Sequence, residues 1–255
     1  MPPEDVANAQ QRAIHQPMPW TKVCKPLAVA VPLLLLLASC AAPSRFVGRQ
    51  QVAGPAAAAD GISVYFNQRR QSRYRSPLTG TMRQGDNLEQ VVVDAIAGAR
   101  RSISLAVQEL TLPGIAQALV ERHRAGVQVR VVLENSYSTP WSRQHPSELD
   151  DHGRHRWQRL HDLADNNQDG AVTQAERRAG DAVALLLDDG VPLLDDTADG
   201  SAGSGLMHHK FLVVDGREVV TGSANFTSSG IHGDAGAPSS RGNANHMVRI
   251  HSTAL

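Results

Sequence analysis

Cysteine is almost missing from this chain of 255 residues, which has only Cys24 and Cys40, both near its start. No disulfide can close within the rest, so stability there must come from packing or a metal. Lysine is nearly as scarce: Lys22, Lys25 and Lys210 are the only three, although Lys and Arg together number 25. Aromatic residues make up 4% of the chain, which argues against a stacking platform for single-stranded nucleic acid. Net charge is absent too, with 25 acidic residues balancing the basic ones, so no global field draws the chain to nucleic acid. The apolar run Pro26 to Leu37 is too short to span a bilayer.

That run follows Lys22 and Lys25 and has the make-up of a signal-peptide core. It ends in Leu37-Ala38-Ser39-Cys40, which resembles the lipobox of bacterial lipoproteins. The resemblance implies that residues 1–39 are a removed leader, with a start at Met18 fitting better than one at Met1. It also implies a lipid on Cys40 and an exported, membrane-anchored protein facing the periplasm or the cell exterior. An ordinary secretory signal with a chance cysteine is the plainer alternative. Residues 40–61, rich in Ala, Gly and Gln, read as a tether.

From residue 62 the pattern is that of a folded domain. Ile62–Phe66 is a short β-prone run. Leu88, Val91, Val92 and Ile96 share a helical face within 86–100, which Asp86 or Asn87 would cap. Ile103, Leu105 and Val107 alternate as a strand does. A helix over Pro113–Arg124 stops at Gly126, and Val127–Leu133 is the next strand. This order predicts a βαβ unit in a parallel or mixed sheet. Residues 135–156, with His145, His152 and His155, lack regular ligand spacing and read as a solvated loop and helix face. A helix over 173–189, a strand over 191–194, and strands over 207–214 and 218–221 around Asp215-Gly216 follow.

The strongest signal is Met207-His208-His209-Lys210-Phe211-Leu212-Val213-Val214-Asp215 followed by Gly222-Ser223-Ala224-Asn225. On a strand, residues two apart face the same way, so His208 and Lys210 can address one phosphate while His209 points away. Imidazole is a competent nucleophile near neutral pH, and an ammonium can stabilise charge on a phosphate oxygen. Ser223 and Asn225, after a glycine, can donate to other phosphate oxygens. The spacing H-x-K-x4-D-x6-G-S-x-N resembles the HKD signature of the phospholipase D superfamily, and the likeness extends from about Val64 to Ile250. An α/β fold follows from it, with a mixed sheet flanked by helices over residues 62–255. His208, Lys210, Asp215, Ser223 and Asn225 would form the catalytic set. His208 would become a phosphohistidine, no cofactor would be needed, and Asp215 would support the site by hydrogen bonding. A second histidine is required for the leaving group. It would come from a second copy of the chain or from a C-terminal half, and the ending, a strand followed by the start of a helix, favours the latter. Relatives often carry a Glu where Asn245 stands, so the tuning of His208 differs here. Glu109 either lines the site or bonds a neighbouring loop.

A second motif interrupts the domain. Asp165, Asn167 and Asp169 stand at positions 1, 3 and 5 of a twelve-residue loop, Gly170 at 6 and Glu176 at 12. This resembles an EF-hand loop within a helix–loop–helix over 153–189, with the Ala171 carbonyl and Thr173 completing the ligands of a structural calcium ion. An Asx-rich turn is the alternative.

Together these readings predict a phospholipid phosphodiesterase. A nuclease of the same superfamily and a non-catalytic, calcium-stabilised surface lipoprotein are the alternatives. The arginines Arg69, Arg70, Arg73 and Arg75, near Tyr65 and Tyr74, form a basic patch suited to nucleic acid, to anionic headgroups, or merely to water. Nucleic acid is the less favoured partner because the whole chain is neutral.

Overall fold

In the computed structural model, residues 61–200, 205–234, 237 and 239–252 are described. All fall within one compact unit, Arg49–Leu255. The leader, Cys40 and all of the predicted tether but Gly61 lie outside the described residues.

Alternating apolar residues build a seven-stranded sheet in the order β1-β9-β8-β7-β4-β5-β6. The strands are β1 (Ile62–Phe66), β4 (Ser102–Val107), β5 (Gln128–Leu133), β6 (Leu193–Asp195), β7 (Lys210–Val214), β8 (Glu218–Gly222) and β9 (His246–His251). β4, β5 and β6 run parallel, and β7, β8, β9 and β1 add antiparallel neighbours beyond β4. The sheet is therefore mixed, as predicted. A separate hairpin joins β2 (Arg73–Arg75) to β3 (Met82–Gln84).

One face of the sheet supplies the core. Ile103, Leu105, Val107, Val129, Val131, Leu133, Leu212, Val214, Val220 and Met247 are all buried there. α1 (Leu88–Gly98) and α2 (Pro113–Arg124) cover them with Leu88, Val92, Ile96, Ile115 and Leu119. Asn87 caps α1 by accepting from the Gln90 amide. Pro113 opens α2, where its missing N–H costs nothing.

Three expectations need correction. The helix predicted over 173–189 is two helices, α4 (Gln174–Gly180) and α5 (Ala182–Asp188). The fully buried Asp181 breaks the chain between them and caps α5 through the Ala184 amide at 3.0 Å. The helix before the loop, α3 (Asp151–Ala164), begins two residues before the predicted helix–loop–helix at 153. The strand predicted from Met207 begins at Lys210, so His208 stands just outside it.

Candidate active site

The alternation of antiparallel strands brings several sequence-distant segments to one end of the sheet. Val107 pairs with Lys210, and Gly222 pairs with Met247. The residues just past β4, at the start of β7, past β8 and at the start of β9 therefore meet. Gly222 is needed there because a Cβ would stand 2.2 Å from the His246 carbonyl oxygen. This close approach sets Ser223 beside β9, where its amide donates to the same carbonyl at 3.1 Å.

Lys210 is the centre of this end. It is buried, and burial pulls its ammonium below the usual lysine range. Its Nζ donates to the His208 carbonyl at 3.0 Å and to Gln108 Oε1 at 3.3 Å. Among the described residues no carboxylate forms an ion pair with it. A desolvated cation without a counter-charge is costly unless an anion supplies one. Asn225 Nδ2 donates to the same Gln108 oxygen at 3.1 Å, and Asn225 Oδ1 is buried with no hydrogen-bond partner. Two donors thus converge on one oxygen, as they would on a phosphate.

His208 is exposed beside this pair, and His209 turns to the other side, its ring against Phe211 at 5.7 Å. Ser223 Oγ donates to Asn245 Oδ1 at 2.8 Å and lies 3.3 Å from His246 Nδ1. Asn245 thus serves Ser223, and its amide nitrogen holds the Gly230 carbonyl at 2.8 Å.

Asp215 is not at this site. It lies at the far end of β7, about 16 Å of strand from Lys210. Its carboxylate accepts from the amides of Arg100, Arg101 and Ser102 at 2.7–3.0 Å. Burial pushes this carboxyl up, but the three amides and the Arg101 charge outweigh it and hold the group below the usual carboxylate range. Its hydrogen bonding therefore supports the β7–β8 turn and not the catalytic end.

Sequence reasoning missed Gln108. The available signal was its place one residue past β4, at the strand end that Lys210 meets. Glu109, the next residue, receives Nε of Arg156 from helix α3 at 2.6 Å, so it is neither a free site carboxylate nor bonded to a loop as the alternative had it. Glu109 and Arg156 line a cleft of about 840 Å³ that also includes Thr111, Thr227 and the loop residues Asp165 and Asn166.

The calcium-type loop is flanked by α3 and α4. Its donors are all oxygens, a set suited to a hard cation. Gly170, at φ 82°, permits the turn at position 6. As arranged, however, the carboxylates bind the loop's own amides. Asp165 accepts from Asp169 and Gly170 at 3.2 and 2.9 Å, and Asp169 accepts from Ala171 at 2.8 Å. Glu176 closes a capping box with Thr173 and reaches the Asn166 amide at 3.1 Å. The Thr173 hydroxyl, then its amide, hold the Glu176 carboxyl below the usual range. Among the described residues no three His, Cys, Asp or Glu side chains are gathered to hold a metal.

Residues 92–255 match the protein-family model described as "Cardiolipin synthase, PLD-like domain". A stretch of 132 residues is 32% identical to the mitochondrial cardiolipin hydrolase of Xenopus laevis, covering 52% of this chain and 42% of that protein. The hydrolase of the same name from Xenopus tropicalis is 31% identical over 129 residues, covering 51% and 41%. The chain thus spans about two fifths of the length of the curated relatives it matches. A solved phospholipase D family member, Nuc from Salmonella typhimurium, is 22% identical, with 75% of this chain and 82% of that chain covered and a TM-score of 0.40.

Proposed function

This chain belongs to the family of the cardiolipin synthase, PLD-like domain, and from that premise we propose that it hydrolyses phospholipid phosphodiester bonds through a phosphohistidine at His208. The observation that carries the reading is the convergence of Lys210 Nζ and Asn225 Nδ2 on a single oxygen beside His208, with no carboxylate to satisfy the buried cation. A phosphate oxygen takes the place of Gln108 Oε1 and receives both donors. The His208 imidazole attacks phosphorus, and a P–N bond forms as the P–O bond to the leaving alcohol breaks. A second histidine, from another copy of the chain or from a further half-domain, gives its proton to the leaving oxygen. It then takes a proton from water, whose oxygen displaces His208 from phosphorus. Lys210 stabilises the charge that builds on the phosphate oxygens in both steps. The name of the Xenopus relatives, cardiolipin hydrolase, supports a lipid substrate over a nucleic acid.

Two further parts complete the reading. The loop 165–176 takes a structural calcium ion, held by Asp165, Asn167, Asp169, the Ala171 carbonyl, Thr173 and Glu176. The oxygen-only donor set and the flanking helices support this. Cys40 carries a lipid that keeps the site near phospholipid, supported by the leader-like run before it.

The test is to trap a labelled intermediate at short reaction times and map it. Label on His208, together with loss of turnover in His208→Ala and its retention in His209→Ala, is expected. Label on no histidine, or full activity of His208→Ala, would overturn the assignment.

A further inference from the structure

A surface beside the site remains unused by the chemistry above. Between Gly61 and Gly85 the chain has five arginines and no acidic residue. Arg69 is paired with Asp86, and Arg83 turns inward to the Ser240 carbonyl at 2.6 Å. The other three, Arg70, Arg73 and Arg75, are exposed and make no ion pair among the described residues.

Pairing in the hairpin explains why they stand out. Tyr74 sits opposite Arg83, and both turn inward. Arg75 sits opposite Met82, on the outward side with Arg73. Tyr74 Oη meets the buried His232 at 2.9 Å, and His232 meets Glu89 of α1 at 2.7 Å, so the hairpin is pinned to the core. Its outward face is fixed rather than loosely tethered.

Two large apolar side chains accompany the charges. Met82 is 55% exposed, and Phe66 is 46% exposed at the catalytic end of β1. Phe66 lines an open groove of about 510 Å³ with Asn245 and His246, the partners of Ser223. Arg241 connects the two regions, because it lines the hollow under Met82 and also donates to the Gln68 carbonyl in the groove wall at 3.2 Å.

We propose that this face docks the protein on an anionic phospholipid bilayer, with Arg70, Arg73 and Arg75 against headgroup phosphates and Phe66 and Met82 inserted at the acyl boundary. The proposal rests on the phospholipid reading of the site and adds how the substrate reaches it. Charge complementarity selects the partner: three exposed arginines without ion pairs, in a stretch without acidic residues on a neutral chain, suit a negative plane, and the exposed Phe66 and Met82 suit a lipid boundary. Docked in this way, the groove between Phe66 and His246 opens from the bilayer toward Ser223 and Lys210.

The test is co-sedimentation of the full chain with phosphatidylcholine vesicles and with equimolar phosphatidylcholine–phosphatidylglycerol vesicles, at low and high salt. The apolar run near the start contributes equally in every arm, so the difference between variants reads this face alone. Each arginine at such a surface contributes about fivefold in partition. Arg70→Gln/Arg73→Gln/Arg75→Gln should therefore lower binding to the anionic vesicles by about a hundredfold, and Phe66→Ser/Met82→Ser should lower it further at high salt. The triple Lys variant should retain binding, which separates loss of charge from misfolding. Equal binding of wild type and the Gln variant overturns the proposal, as does binding loss seen for an oligonucleotide but not for vesicles. Turnover of soluble bis(4-nitrophenyl) phosphate, measured in parallel, should be unchanged in the Gln variant. If wild type supplied with its second histidine, as a dimer or with a further half-domain, fails on that diester while the vesicle result holds, the catalytic reading falls and the docking face stands.

Discussion

Lys210 and its neighbours decide the chemistry at the scale of single residues. Lys210→Arg keeps the charge but substitutes a planar fork that cannot hold both the His208 carbonyl and the Gln108 oxygen from the same buried point. A loss of kcat on the order of 10²–10³, the effect of removing one charge-stabilising donor, is expected from steady-state kinetics. Gln108→Glu should be nearly as damaging for the opposite reason. It gives the cation a permanent partner, so KM for the diester should rise and competitive binding of inorganic phosphate should weaken. If phosphate binds as well to Gln108→Glu as to wild type, the shared oxygen is not the phosphate position. Because burial lowers the Lys210 pKa, the neutral amine is favoured in the fold, and this residue's contribution to stability rises with pH between its folded value and the ordinary lysine value. A bound anion works against that shift, so phosphate affinity should fall as pH rises through the folded value. The H-x-K spacing made His208 and Lys210 legible from the sequence. Gln108 was not, because a single glutamine after an apolar strand carries no local signal; only the pairing of β4 with β7 gives it meaning. Asp215 was misread in place: its spacing fits the motif, but the strand carries it to the opposite end of the sheet. Asp215→Asn should leave KM unchanged and lower the melting temperature at neutral pH. The stability from the wild-type carboxylate is present above the ordinary carboxylate range and is lost as pH falls through its depressed folded value, so the two proteins should converge in acid.

At the scale of elements, periodicity made α1, α2, β4 and β5 readable because each buries one regular face. The insert was harder, because α3 contributes to a small separate cluster of Trp141, Leu160 and Ala164, joined by Trp157 and Val172, while α5 packs into the main core. Gly180 and Asp181 show why one helix became two. A Cβ at Gly180 would stand 2.6 Å from the Ala164 Cβ, so α4 closes tightly on α3. Asp181 then satisfies both the Ala184 amide and, at 2.9 Å, the Ser142 amide. No hydrophobic period reports a capping residue in mid-helix. Asp181→Ala should cost about 2 kcal/mol or more in urea unfolding, because a cap is lost and a buried amide is left without a partner. The loop between α3 and α4 makes a separate prediction. Millimolar calcium should raise the melting temperature of wild type but not of Asp165→Ala/Glu176→Ala. No calcium-dependent rise in wild type would mean that the capping box and the Asx bonds are the loop's whole purpose.

For the whole molecule, the sheet order gathers one H-x-K strand, one G-S-x-N turn and one Gln108 at a single end, and the described chain has no second such set. On the proposed mechanism the reaction needs a second acid and base, which this single set does not supply. The mixed sheet was legible through the motif's resemblance, but the strand order could not be read from the sequence, because pairing across β7, β8 and β9 depends on contacts distant along the chain; only the βαβ portion declared itself locally. The single occurrence of the motif was legible in the sequence. It also yields a quantitative test. If two copies build one site around a two-fold axis, each active site contains two His208 side chains. Co-expressing wild type with an equal amount of His208→Ala then leaves about a quarter of the pairs with both histidines, and activity per total protein should fall to about a quarter. If each chain completes its own site, or a separate half-domain completes it, activity should fall only to about half. A titration of the variant fraction distinguishes a quadratic from a linear loss, and a linear loss accompanied by a monomeric mass in solution would rule out a second copy as the source of the leaving-group proton.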